Sequence, residues 1–167
     1  MNGKIVIAGG TGALGSMITA RYLNSETEVV VLSRNARLGH DNVRYVVWDA
    51  TTLGRWAKEL EGATAVINLV GKSVNCRYTA KNKAEIIRSR VDATAVIGQA
   101  IQRATVPPKV WINAGSAAIF GNSGSEMKVE VPYWAKVFLR RYANNGKQRF
   151  INTTHQIPGK SFYGLGS

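Results

Sequence analysis

Residues 4–8, KIVIA, form a short apolar, β-branched run that leads straight into Gly9-Gly10-Thr11-Gly12-Ala13-Leu14-Gly15. Nothing else in the chain narrows its fold as much. A G-x-x-G-x-x-G pattern between a strand and a helix combines two physical demands. The turn needs backbone angles that residues with a Cβ avoid. The helix that follows presents unpaired N–H groups at the positive end of its dipole, where an anion is favoured. On this reading Gly9 makes the turn, Gly12 faces a pyrophosphate and Gly15 lets the helix sit against the strand. The whole segment, Gly9, Gly10, Thr11, Gly12, Ala13, Leu14 and Gly15, then cradles a dinucleotide.

The remaining periodicities fit that start. SMITARYLN (16–24) has helical character, with Leu14, Ile18 and Leu23 as core contacts. EVVVLS (28–33) is a continuous apolar run of strand length, as expected of a strand buried on both faces. VRYVVWD (43–49) is a third strand, residues 52–61 a short helix closed by Gly62, and TAVINLVG (64–71) a fourth strand. Residues 80–104 form a long helix carrying Ile86, Ile87, Val91, Ala95, Ile97 and Ile101, and PPKVWINAGS (107–116) opens a fifth strand. Strands alternating with helices predict an α/β fold, a Rossmann-type doubly wound parallel sheet of about five strands in the order 3-2-1-4-5.

Composition removes several other classes. In 167 residues, 45% of them hydrophobic, there is one cysteine, Cys76, so neither an internal disulfide nor a thiolate metal cage is expected. His40 and His155 lie too far apart in sequence for ligand spacing, and no metal site is predicted. No apolar run has the length of a membrane span, and the N-terminus starts a strand rather than a signal peptide. A soluble protein of a reducing compartment, the cytoplasm, is the expectation.

The ends of the strands point to the cofactor. An acidic residue after the second strand would bind a ribose 2′-hydroxyl and repel a 2′-phosphate. Here the strand ends Leu32-Ser33-Arg34, with Arg37 following. A guanidinium offers bidentate contact to a phosphate and Ser33 a further hydrogen bond, which favours NADP(H) over NAD(H). Asp49 stands where a carboxylate could accept from the adenine amino group, and capping a helix or loop is an equal alternative. Asn68, Leu69 and Gly71 close the fourth strand at the topological switch point and line the cofactor path. Lys81, Lys83, Arg88 and Arg90 read as a solvated helix face, with phosphate contact as the lesser alternative.

The glycine loop, NLVGKSV (68–74), RYTAKNKAEIIRSRVDAT (77–94) and PPKVWINAGSAAIFG (107–121) occur in order at natural intervals. Together they resemble the N-terminal part of a short-chain dehydrogenase/reductase. More narrowly, they resemble the atypical NAD(P)-dependent epimerase/dehydratase-like family that includes cell-division-inhibitor-type nucleotide-sugar epimerase homologues. The resemblance covers residues 3–121. It implies hydride transfer involving NAD(P)H and a small-molecule substrate, with full-length relatives acting on a carbonyl or secondary alcohol of a sugar-nucleotide-like compound. It also places Ser116 as the active-site serine, a hydroxyl able to stabilise developing oxyanion charge. The wider superfamily uses a Tyr-x-x-x-Lys pair. This chain has none, since Tyr78 precedes Lys81 and Tyr133 precedes Lys136 by three positions. The atypical family often lacks the pair.

The resemblance divides the chain into an NADP(H)-binding domain, 1–126, and a basic tail, 127–167, with the substrate lobe of the family missing. The whole chain carries 22 basic and 10 acidic residues, a net charge of +12, and the tail holds seven of the former and one of the latter. Residues 133–142 could form a basic amphipathic helix. A different origin is favoured here, translation out of frame from about residue 127. Back-translating ANNGKQRF in a shifted frame permits CKQWETAF, and NTTHQIPGK permits YHTPNTRK. These match the W-E-x-A-F and T-P-x-T-R segments that family members carry at this place. Two rival functions are weighed against the enzyme-type reading. One is a non-catalytic nucleotide-sensing module; the other is a nucleic-acid binder, which the missing aromatic-basic motifs argue against. Neither nucleic acid nor membrane is an expected partner, and oligomeric state is left open.

Overall fold

The computed structural model of the chain describes residues 3–115. Readings that fall later, namely Ser116, the helix at 133–142 and the out-of-frame tail, lie outside the described residues. Five strands, β1 (Lys4–Ala8), β2 (Glu28–Ser33), β3 (Val43–Val47), β4 (Ala65–Asn68) and β5 (Val110–Asn113), form one parallel sheet in the order β3-β2-β1-β4-β5. Two α-helices, α1 (Ala13–Arg21) and α2 (Ala80–Arg103), and a 3-10 helix, Arg55–Leu60, connect them. No helix among the described residues is long and apolar enough to cross a membrane.

The period-two alternation of a strand divides the core between the two faces of the sheet. Val6 and Ala8 of β1, Val30 and Leu32 of β2 and Val66 of β4 face one way. They pack with Trp48, Trp56 and Leu60 and with Ala93, Val96, Ile97, Ala100 and Ile101 of α2. Ile5, Ile7, Val29, Val31 and Val43 face the other way, with Ile18 of α1, Tyr22 and Leu23 against them. Val6, Ile7, Val29, Val30 and Val31 are wholly buried. Each such side chain contributes ~1.5–3 kcal/mol by leaving water, so the register Val6↔Val30 and Ile7↔Val31 is fixed by both layers at once.

Three boundaries and the buried stripe of α2 differ from the sequence reading. α1 begins at Ala13 rather than Ser16, because Gly12 already occupies the N-cap position with extended backbone. That orientation turns Leu14 outward, 55% exposed, so Leu14 is no core contact whereas Ile18 and Leu23 are. β3 stops at Val47: Trp48 N–H still donates to Ser33 O at 3.0 Å, but the Trp48 ring turns into the core edge-on to Trp56, at 5.1 Å. β4 stops at Asn68, and residues 69–79 run without regular structure to Thr79, whose hydroxyl accepts from Asn82 N–H and caps α2. On α2, Ile87 is exposed and the buried stripe lies further on, from Ala93 to Ile101.

Polar ties close the β3 edge. Arg44 on β3 donates to the Glu59 carboxylate and, at 2.7 Å, to Glu28 Oε1 on β2. The Glu59 carboxylate first, and Glu28 with it, holds the guanidinium charged beyond its ordinary range.

Candidate functional site

Three of the four glycines in the segment from Gly9 to Gly15 stand in different steric situations. Gly9 has φ +79°, and a Cβ there would stand 3.1 Å from the Leu69 carbonyl carbon and the Val70 nitrogen. Gly15 lies closest of all, its missing Cβ 2.4 Å from Gly10 Cα and 2.6 Å from Gly9 O. So the first turn of α1 rests on the backbone of the loop itself. Gly12 is the opposite case: only Gly9 O, at 3.4 Å, approaches its Cβ position. No side chain caps α1 at Gly12, and no acid lies in the first turn. The N–H groups there keep their positive end open.

That end faces a cleft of about 740 Å³ along the carboxyl edge of the sheet, lined by Gly9, Thr11 and Gly12 from the turn. The order β2-β1-β4 places α1 on one face and α2 on the other, so the cleft stands where successive crossovers diverge. Its volume is that of a site for a drug-sized or larger ligand (roughly 300–1,000 Å³).

The structure brings most of the sequence candidates to this cleft. Ser33 and Arg34 line it at the end of β2, Asp49 after β3, and Leu69 and Gly71 after β4. Gly10 is buried beneath it, with Val31 Cγ1 2.7 Å from its Cβ position. Ala13 and Leu14 lie in the first turn of α1, exposed, and neither side chain lines the cleft. Asn68 does not line the cleft either. Buried to 4% exposure, its Nδ2 donates to Thr94 Oγ1 at 3.2 Å and its Oδ1 accepts from Val70 N–H at 3.1 Å, so it braces the wall from behind. Arg37 stacks over the Tyr45 ring at 6.0 Å.

Two candidates are engaged locally. Ser33 Oγ donates to Asn35 O at 2.9 Å and shapes the turn after β2. Asp49 accepts from Thr51 and Thr52 N–H groups, each at 2.8 Å, and from the Thr52 hydroxyl at 2.6 Å. The Thr52 hydroxyl foremost, then these backbone donors, hold the Asp49 carboxyl well below the ordinary carboxylate range. Capping of the 50–52 turn is therefore an observed role of Asp49, whose Oδ2 keeps an acceptor position free beside the cleft.

The sequence reading missed the opposite wall. Arg88, Ser89 and Asp92 of α2 line the cleft, together with Lys72 and Glu85. Lys81, Lys83 and Arg88 are exposed, Arg88 on the cleft rim, whereas Arg90 does not belong to that solvated face. Arg90 is half-buried and donates to Lys72 O at 3.1 Å, while Ser89 Oγ accepts from Lys72 N–H at 2.9 Å. Lys72 Nζ donates to Asn82 Oδ1 at 2.9 Å and to Glu85, whose carboxyl it holds below its ordinary value. The signal was present: 85, 88, 89 and 92 share one helical face by the three–four rule, here applied to polar residues. Among the described residues no cluster of His, Cys, Asp or Glu could hold a metal ion.

Comparison with known proteins agrees with this geometry. Residues 5–145 match the NAD dependent epimerase/dehydratase family. The chain is 38% identical over 121 residues to the epimerase family protein YfhF of Bacillus subtilis, covering 72% of this chain and 40% of that protein. It is 31% identical over 116 residues to the epimerase family protein SSP1921 of Staphylococcus saprophyticus, covering 69% and 38%. Among solved structures, the human epimerase family protein SDR39U1 with NADPH superposes with a TM-score of 0.63 at 20% identity, over 98% of this chain and 52% of that one. The UDP-Glc/GlcNAc 4-epimerase of Campylobacter jejuni gives 0.73 at 15% identity, over 99% and 53%. The chain therefore spans about two fifths of these curated relatives and about half of these solved chains. By the match over 5–145 and the likeness to YfhF, with the parallel sheet and glycine turn to go with them, the chain belongs to the NAD dependent epimerase/dehydratase family.

Proposed function

We propose that the cleft binds NADP(H), and that the chain forms the nucleotide-binding part of an epimerase- or oxidoreductase-type protein. The observation that carries this reading is the contrast within the turn. Gly9 and Gly15 are closed by backbone, whereas Gly12 alone is open to the cleft at an uncapped helix end. That is the shape a diphosphate requires, with N–H donors and no Cβ in its way. Thr11 and Gly12 would hold the pyrophosphate, and Arg34, exposed on the cleft rim, would take the 2′-phosphate beside Ser33. The free acceptor position on Asp49 would receive the adenine amino group, and Leu69 and Gly71 would flank the ribose path. When bound, the nicotinamide supplies hydride transfer to or from a carbonyl or secondary alcohol. Ser116, carried over from the family pattern, would hydrogen-bond that oxygen. A sugar-nucleotide-like substrate is in keeping with the relatives' kind: MoeE5, which superposes with a TM-score of 0.64 at 23% identity, is solved with UDP-glucuronic acid and NAD.

Trp48 lines the cleft, so tryptophan emission should report binding directly. Titration with NADPH and NADH should show tighter NADPH binding. Arg34→Ala should weaken NADPH about 10–100-fold, the loss of a charged bidentate contact, and leave NADH within about twofold. Equal affinity for the two, or tighter NADH, would refute the assignment to Arg34. Absence of binding by both would refute the cleft reading itself.

A further inference from the structure

Two adjacent residues of α2 grip one residue of the cleft wall at both ends of its backbone. Lys72 N–H donates to Ser89 Oγ at 2.9 Å, and Lys72 O accepts from Arg90 Nη1 at 3.1 Å. Both anchors are themselves fixed to the helix. Ser89 Oγ donates to Ile86 O at 3.1 Å, and the same Arg90 nitrogen donates to Ile86 O at 3.0 Å. The guanidinium also lies across Gly71, where a Cβ would stand 2.8 Å from Arg90 Cζ. On its other side the wall meets the turn, since a Cβ on Gly9 would stand 3.1 Å from the Leu69–Val70 peptide. Leu69 N–H still donates to Ala8 O at 2.9 Å, but beyond it the segment has no regular structure until α2. Residues 70–72 are thus caught between the glycine turn and two side chains of one helix.

We propose that Ser89 and Arg90 are positioning residues for the nucleotide: they set how far the Val70–Lys72 backbone stands from the Gly9–Gly12 turn, and so fix the width of the cleft. The proposal rests on the reading of the cleft as a nucleotide site. A loop of this kind left free would sample many conformations, and ordering it on binding would weaken affinity. Holding the loop before the ligand arrives removes that loss. Arg90 suits the task because the two N–H groups of its Nη1 reach two carbonyl oxygens while the planar guanidinium covers a residue without a side chain.

The test uses the full 167-residue chain, with Ser89→Ala, Arg90→Ala, Arg90→Lys and Gly71→Ala. NADPH affinity is measured by tryptophan emission at a temperature where circular dichroism shows every variant folded. Hydrogen exchange of the amides of 69–73 is followed without nucleotide. Ser89→Ala and Arg90→Ala should each weaken NADPH about tenfold and speed exchange across 69–73. Arg90→Lys should recover part of the affinity. Gly71→Ala should weaken binding in the native background by evicting the guanidinium, and add little once Arg90 is alanine. Faster exchange with unchanged affinity would overturn the proposal, as would full additivity of Gly71→Ala and Arg90→Ala. A native chain that binds neither NADPH nor NADH overturns the nucleotide reading, and the positioning role with it. That outcome is recognisable because the exchange of the variants is read without ligand.

Discussion

Gly15→Ala makes the packing of α1 on its own loop measurable. At an ordinary helical position this change stabilises a protein by about 1 kcal/mol, because alanine is the better helix former. Here the new Cβ would lie 2.4 Å from Gly10 Cα, 2.6 Å from Gly9 O and 2.7 Å from Gly10 C, all of them backbone atoms with no rotamer to change. Relief requires α1 to retreat by about 1 Å, to a separation near ordinary van der Waals contact. The Thr19 hydroxyl bond to Gly15 O, 2.8 Å long, moves with it. Overpacking of this kind costs ~3 kcal/mol, the upper part of its usual range, since nothing nearby can yield. The net loss after the helix-propensity gain is ~2 kcal/mol, or roughly 8 °C in the melting midpoint of a domain this size. Thermal unfolding by circular dichroism measures it. Gly12→Ala, whose Cβ meets only Gly9 O at 3.4 Å, should instead stay within about 1 kcal/mol and lose nucleotide affinity. A Gly15→Ala protein as stable as the native one would refute the account of the turn.

The remaining expectations address other ties. Asn68→Ala should destabilise by ~1–3 kcal/mol, since it strands the part-buried Val70 N–H and Thr94 hydroxyl, and urea unfolding should detect it; a change below about 0.5 kcal/mol would contradict the bracing role. Glu61 accepts from Val106 N–H at 2.8 Å and Thr105 N–H at 3.0 Å, and these donors, Val106 foremost, hold its carboxyl below the ordinary 4.5. A carboxyl lowered in the fold stabilises it above the unfolded value, and the contribution fades as pH falls through the folded one. The melting midpoint of the native chain should therefore exceed that of Glu61→Gln by a constant margin above about pH 6, narrowing below pH 4.5; a margin independent of pH would count against it.

The sheet was legible because its signal is local. Runs such as KIVIA and EVVVLS are buried on both faces beyond their first residue, so 5–8 and 29–33 report the same environment. The glycine turn was legible for the same reason, since a positive φ at Gly9 and a backbone contact at Gly15 admit almost no other residue. The α2 wall was legible only as a shared polar face at 85, 88, 89 and 92, with nothing to say what that face meets. The bonds that bring it to the cleft join Lys72 to Ser89 and Arg90, residues 17 and 18 positions apart, and no short-range pattern marks them. Leu14 misled because apolar spacing shows which residues share a face and leaves open where the helix begins, and Gly12 sets that start. Asp49 could be read two ways because a carboxylate that caps a turn and one that waits for a ligand look identical in a string of letters.

The two rims of the cleft are built with unequal freedom. Residues 34–38, which follow β2 ahead of the bridge of His40 to Val43, are exposed throughout, with Leu38 at 94%. Substitution there should alter stability by no more than ~0.5 kcal/mol. The facing rim at 69–72 is bound to β1, to the turn and to α2 at once. On the proposed nucleotide reading, the rim that would meet the outer end of the ligand can therefore change at little cost to the fold, whereas a change at 69–72 disturbs the sheet, the turn and α2 together.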